Sequence, residues 1–182
     1  MKKLDLLMDA TALDRALSRI SHQILEKNPD LGTLGIVGVR TRGAPLAKRI
    51  AAKLNDMEKT SLVPGTLDIT LYRDDYRKTL KQPQVQVTDI QFDINDKNIV
   101  LVDDVLYTGR TARAALDALM DFGRPRTIQL AVLIDRGLRE LPIRADFVGR
   151  KISTQKEQEV SLRLKETDGE DGVWLVKLEE GD

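Results

Sequence analysis

The chain has 182 residues, 41% of them hydrophobic and 32% charged, and its 29 basic side chains are matched by 29 acidic ones. With no cysteine it forms no disulfide and no thiolate metal site, a composition that suits a reducing cytoplasm. No apolar run reaches bilayer length, Asp5 and Asp9 interrupt any signal-peptide core, and the zero net charge means that any nucleic-acid surface has to come from local clustering.

In chain order, residues 9 to 27 read as an amphipathic helix with Leu13, Ala16, Leu17, Ile20 and Ile24 on one stripe. Leu34-Gly35-Ile36-Val37-Gly38-Val39 predicts a buried strand, followed by the turn Arg40-Thr41-Arg42-Gly43 and a helix from Ala44 to Leu54. Alternation over Leu67–Tyr72 predicts a strand, the charged stretch from Arg73 through Gln84 a long mobile loop, and the weaker alternation of Val85, Val87, Ile90 and Phe92 a short hairpin. A run of branched residues from Ile99 to Val102 predicts a strand buried on both faces, with Asp103 and Asp104 where it emerges. After Thr108-Gly109-Arg110-Thr111, residues 112 to 119 read as a helix that Gly123-Arg124-Pro125 stops. Ile128–Ile134 reads as another buried strand, ending in Asp135-Arg136-Gly137. Strands are expected near Val160–Leu164 and Val173–Leu178, with an acidic loop from Glu166 to Asp171 between them. Neither repeats nor low-complexity segments break this alternation, which predicts one α/β domain over residues 1–182 with a largely parallel sheet. The turns at 40–43, 103–111 and 135–137 all follow strands, so they are expected to converge at the carboxyl end of the sheet, where ligands bind.

The segment Ile99–Thr111 carries the most chemistry. Turn amides and a helix N-terminus attract a phosphate, Thr108 and Thr111 add hydroxyl donors, and the two carboxylates are left to accept hydrogen bonds from sugar hydroxyls. An isolated Asp-Asp pair would read as a helix cap and a solvated turn, but the apolar strand before it and the full Thr-Gly-Arg-Thr turn after it favour a cradle for a phosphorylated sugar. No Gly-x-x-x-x-Gly-Lys-Ser/Thr run is present, which excludes a nucleotide-triphosphate P-loop. Two basic clusters stand out against the neutral whole: Arg15, Ser18, Arg19 and His22 opposite the apolar stripe of the first helix, and Arg136, Arg139, Arg144, Arg150 and Lys151. Each alone reads as a solvated face; together they suit phosphates and loop bases of an RNA.

The acidic pair and its Thr-Gly-Arg-Thr loop resemble the phosphoribosyl-pyrophosphate signature of the type I phosphoribosyltransferases. With Ser18-Arg19-Ile20-Ser21-His22, Gly38–Gly43, Asp68–Asp75 and Arg139–Asp146, the chain is similar to the PyrR family, bifunctional pyrimidine-operon attenuation regulators that are also uracil phosphoribosyltransferases. The resemblance implies a mostly parallel central sheet flanked by helices, with a small hood and a flexible loop. It implies the conversion of uracil and phosphoribosyl pyrophosphate to UMP and pyrophosphate with Mg2+. Arg40, Arg42, Arg73, Asp103 and Asp104 are the catalytic set it implies, with Asp103 and Asp104 meeting the metal mainly through water and substrate. Arg40, Thr41 and Arg42 match the pyrophosphate loop, Val105 and Leu106 join the substrate-binding residues, Tyr107, Thr108, Gly109, Arg110 and Thr111 wrap the 5′-phosphate, and Tyr72–Arg77 match a loop that closes over the site. The base is expected against Asp135-Arg136-Gly137 and Val160. Purine-type relatives carry an acidic residue where this chain has Tyr107, which favours a pyrimidine.

The resemblance further implies binding of a hairpin in pyrimidine-operon leader mRNA, tighter with UMP or UTP bound, through Ser18, Arg19, His22, Arg139, Arg144 and Arg150. It implies a homodimer or a larger assembly built from dimers, and no membrane partner. One departure stands out: Leu138 occupies the place where relatives commonly have a histidine, and leucine makes none of its hydrogen bonds. A phosphoribosyltransferase without RNA binding, and a nucleotide sensor with little catalysis, are the alternatives.

Overall fold

The computed structural model describes residues 2–74 and 87–177, and the side chains from Asp5 onward within the first strand. The expected hairpin residue Val85, and the closing-loop residues beyond Asp74, lie outside the described residues. Five strands form the central sheet in the order β3-β2-β4-β5-β6: β3 (Gly65–Leu67), β2 (Leu34–Val39), β4 (Asn98–Leu106), β5 (Thr127–Asp135) and β6 (Phe147–Lys151). Every neighbouring pair in it is parallel. β1 (Lys2–Met8), β8 (Gly172–Lys177) and β7 (Gln158–Arg163) make a separate antiparallel sheet in that order.

Alternation along β4 divides the core. Val100 and Val102 face α1 (Ala10–Lys27) and α2 (Gly43–Glu58) through Leu13, Leu17, Ile20, Ile24, Leu46, Ile50 and Leu54. Ile99 and Leu101 face the alanine-rich α3 (Arg110–Met120). Such two-sided burial is why the strand is a continuous apolar run. Asp9 caps α1, its carboxylate accepting from the Ala12 amide at 2.7 Å. Leu162 and Val173 of the antiparallel sheet, with Leu164 just after β7, join the α1–α2 core, so both sheets share one interior. No helix among the described residues is long and apolar enough to cross a membrane.

Two expected elements differ. The strand over Leu67–Tyr72 stops at Leu67, and Thr70–Tyr72 is a single 3-10 turn. Asp68 causes this: its Oδ1 accepts from both the amide and the hydroxyl of Thr70, at 2.9 and 2.6 Å, a local bond that competes with the ladder. Instead of a hairpin, the described part of 85–92 contributes one antiparallel bridge, Thr66 with Asp89, while Ile90 and Phe92 pack on the α3-side core. β1 and β6 escape pattern reading because charged residues break the apolar run of each. The acidic stretch is partly the short helix α4 (Lys165–Asp168).

Candidate active site

The ends of β2, β4 and β5 carry the three turns. Around the β4 turn is a cavity of about 300 Å3 lined by Arg73, Asp74, Asp103, Glu140 and the run Val105–Ala112. Of the expected substrate residues, Arg73, Asp103, Val105, Leu106, Tyr107, Thr108, Gly109, Arg110 and Thr111 therefore meet at one place.

Asp103 is buried at 7% exposure, and its Oδ1 accepts from the Asp104 amide at 2.9 Å; Asp104 in turn accepts from the Val105 amide at 2.8 Å. Each carboxylate is thus oriented by the amide that follows it. Burial, and then the adjacent Asp104 carboxylate, push Asp103 well above the ordinary carboxylate range, while the nearby Arg73 guanidinium pulls the other way. Beyond the pair, Gly109 takes φ +94° as the N-cap of α3, a left-handed conformation that glycine adopts without penalty. The first-turn amides of α3, which lack acceptors within the helix, open at the cavity wall formed by Arg110, Thr111 and Ala112.

The turn after β2 is pressed against the same strand end. A Cβ on Gly43 would lie 2.3 Å from the Val102 carbonyl oxygen and 3.2 Å from the Asp103 Cα, so only glycine lets the two segments touch. The Arg40–Thr41 peptide is cis. The Arg40 amide donates to the Leu67 carbonyl at 3.0 Å and its Nη2 to the Val87 carbonyl at 3.0 Å, while Thr41 is exposed. Arg42 donates from Nη2 to Asp168 at 3.1 Å, and its Nε is buried without a hydrogen-bond partner.

Two arginines stand behind Tyr107, outside the cavity lining. Arg136, 5% exposed, stacks 3.9 Å above the Tyr107 ring and donates to Thr154 Oγ1 at 3.0 Å and to the Gln158 carbonyl at 2.5 Å. Val160, on β7 beyond those contacts, packs against the α1–α2 core and does not line the cavity. Arg139, expected on an RNA surface, faces inward: it donates to the carbonyls of Tyr107 (2.6 Å), Gly137 (3.0 Å) and Ile143 (3.0 Å) and to Asp135 Oδ1 (2.5 Å). Five N–H donors in a rigid fork suit it to tying loops together. Arg110 bridges Glu140 at 2.7 Å and Asp74 at 2.6 Å across the cavity mouth. Arg113 holds the Tyr72 carbonyl at 2.8 Å, and the Tyr72 hydroxyl bonds Asp121, which fastens the segment leading to Arg73 onto α3.

The remaining basic residues lie elsewhere. Arg19 of α1 donates to the Gly149 carbonyl, joining α1 to β6, and Arg150 donates to the Leu7 carbonyl, joining β6 to β1. Ser18 bonds the Asp14 carbonyl at 3.0 Å, and His22 Nδ1 lies 2.7 Å from the Ser18 carbonyl oxygen. Arg144 is exposed in the loop before β6, beside a separate cavity with Pro142 and Leu116. Sequence reading missed Arg113, Glu140 and the Thr154–Gln158 segment, whose roles appear only through contacts distant along the chain.

Among the described residues no group of three or more His, Cys, Asp or Glu side chains could hold a metal by itself. Two adjacent carboxylates offer only hard oxygen donors, which suits Mg2+ sharing its coordination with waters and substrate oxygens.

The sequence profile of the phosphoribosyl transferase domain matches residues 5–167. The chain is 53% identical to the bifunctional protein PyrR of Pelotomaculum thermopropionicum over 174 residues, 96% of each chain. It is 55% identical to that of Clostridioides difficile over 93% of this chain and 96% of the relative, and 57% identical to that of a Roseiflexus species over 94% of each. In fold it is similar to a hypoxanthine phosphoribosyltransferase of Staphylococcus aureus, with a TM-score of 0.70 at 18% identity over 98% of this chain and 94% of the other. That of Trypanosoma cruzi gives a TM-score of 0.72 at 16% identity over 97% and 98%.

Proposed function

Because the chain belongs to the phosphoribosyl transferase domain family, and within it to the bifunctional PyrR proteins, we propose that it joins uracil to phosphoribosyl pyrophosphate and regulates pyrimidine-operon transcription by binding RNA. The observation that carries the catalytic half is the buried Asp103, paired with Asp104 and set between the glycine-capped start of α3 and the Gly43 turn.

In this reading Thr108–Thr111 and the α3 amides hold the 5′-phosphate, and Asp103 and Asp104 accept hydrogen bonds from the ribose hydroxyls. Displacement at the anomeric carbon passes through an oxocarbenium-like state, so the residues mainly position reactants and stabilise the departing pyrophosphate. Arg40, Thr41 and Arg42 meet that group from one side, and Arg73 from the cavity wall. Asp103 and Asp104 would hold Mg2+, which when bound would neutralise charge on the pyrophosphate. Tyr107, backed by Arg136, forms the wall against which the pyrimidine lies, while the Thr154–Gln158 segment that Arg136 holds offers main-chain groups for its edge.

The RNA surface in this reading is the α1 face with Ser18, Arg19 and His22, continued through β6 and Arg150 to Arg144, because Arg19 and Arg150 lie along one seam. Arg139 supports it from within by tying the 135–143 loop to β4. The protein acts as one domain over residues 1–182 and assembles as a homodimer or larger unit in the cytoplasm.

UMP formation from uracil, phosphoribosyl pyrophosphate and Mg2+ tests the enzyme, and an absence of product overturns it. Retardation of a pyrimidine-leader hairpin, stronger with UMP present, tests the regulator. Equal or absent retardation in the two conditions overturns that half.

A further inference from the structure

The acidic stretch between β7 and β8 has no part in the reading above, yet it is fastened to α2 at two points. Arg42 caps α2, and Arg49 lies two turns further along the same face. Arg49 forks onto Glu166 (2.6 and 2.8 Å) and Asp171 (2.7 and 3.1 Å), and Arg42 reaches Asp168 Oδ1 at 3.1 Å. Asp168 is already set to receive it. Its Oδ2 accepts from the Leu164 amide at 2.9 Å and from the Thr167 hydroxyl at 2.7 Å, which leaves Oδ1 for the guanidinium.

The other nitrogens of Arg42 differ in their access to solvent. Among the described residues, its Nε is the buried side-chain nitrogen or oxygen that finds no hydrogen-bond partner. That nitrogen is closed off from solvent, so the part of Arg42 a ligand can meet is the rest of the side chain, which as a whole is 36% exposed. The guanidinium is thus anchored by Asp168 at one nitrogen, closed off at Nε and solvent-facing elsewhere, at a turn whose Gly43 touches the strand end carrying Asp103.

We propose that Asp168 is a positioning residue for the pyrophosphate end of the site: it anchors Arg42 at Nη2 so that the solvent-facing part of the guanidinium meets a pyrophosphate oxygen. This rests on the phosphoribosyltransferase reading above. It makes the β7–β8 connection, far along the chain from the signature motif, part of the machinery that receives the leaving group. A guanidinium held at one nitrogen presents its remaining donors in a fixed plane, whereas a released one has to be ordered again at each binding event.

Steady-state kinetics with D168N and D168E, together with pyrophosphate inhibition and thermal unfolding, test it. D168N is expected to raise KM for phosphoribosyl pyrophosphate and Ki for pyrophosphate together, roughly tenfold, while KM for uracil and the unfolding midpoint stay near the parent values. D168E, which restores the charge, recovers part of the loss. T167V, which removes one of the bonds fixing the carboxylate, gives a smaller shift of the same kind and carries the test if D168N fails to fold. Parent-like KM and Ki in D168N, or equal losses for both substrates with a lowered midpoint, overturn the proposal. An inactive parent enzyme overturns the underlying reading instead, so the two failures are distinguishable.

Discussion

The guanidinium of Arg136 lies 3.9 Å above the ring of Tyr107 while donating to Thr154 and to the carbonyl of Gln158. One buried cation thereby links the β4 turn to the start of β7, and the stack itself is worth roughly 1–2 kcal/mol when desolvated. R136K keeps the charge but not the plane or the fork, and is expected to raise KM for uracil about tenfold with a smaller effect on KM for phosphoribosyl pyrophosphate. Initial rates at varied uracil check this, and equal effects on both substrates refute it.

Asp103 combines burial with a like-charged neighbour, so folding disfavours its charged form. D103N is expected to lower kcat about 10²-fold or more while raising stability by about 1 kcal/mol in urea denaturation at pH 7. A loss of both activity and stability counts against this account.

Stability should follow the Arg49 cluster in acid. The Arg49 side-chain hydrogen bond lowers the Glu166 pKa; burial alone would raise Asp171, but the bonds from Arg49 and the Lys165 amide leave it lowered too. Carboxylates lowered by folding contribute stability above their unfolded values, about 4, and lose it as pH falls through the folded ones. R49M is expected to cost about 1–2 kcal/mol at pH 7, discounted for the half-exposed Glu166, with the difference from the parent shrinking below about pH 4. Urea midpoints at pH 7 and pH 3.5 measure it, and a difference that persists in acid overturns it.

Gly43 has no room for a side chain, since its Cβ would meet the Val102 carbonyl at 2.3 Å, a backbone atom that cannot swing away. G43A is expected to destabilise by about 1–3 kcal/mol and to raise KM for phosphoribosyl pyrophosphate by separating the Arg42 turn from Asp103. Unchanged unfolding and kinetics would refute this contact.

Leu138 sits at φ +56° with 43% of its surface exposed. Left-handed backbone costs a branched residue about 1 kcal/mol, so L138G is expected to raise stability by a fraction of that, the glycine's greater unfolded-state freedom offsetting the rest. A lowered unfolding midpoint refutes the strain.

Where a segment's environment is uniform, the sequence reveals it. Val100 and Val102 face one core and Ile99 and Leu101 the other, so β4 and its turn were legible. Leu67–Tyr72 alternates as a strand does, but the Asp68–Thr70 bonds end the ladder, a competition that hydrophobic patterning does not register. Arg139 was legible as a charge and illegible as a strut, since its acceptors are main-chain carbonyls. Asp168 was part of an acidic run whose partners, Arg42 and Arg49, lie more than a hundred positions away. A seven-residue spacing of arginines on α2 opposite alternating acids was the one available hint.

That Arg139 grips carbonyls, with Asp135 as its one side-chain partner, has an evolutionary consequence. A substitution at Tyr107, which lines the cavity, changes what a ligand meets and leaves the carbonyl that the strut holds in place. Ligand preference in these loops can therefore drift from lineage to lineage while a single arginine, kept with its aspartate, preserves the frame.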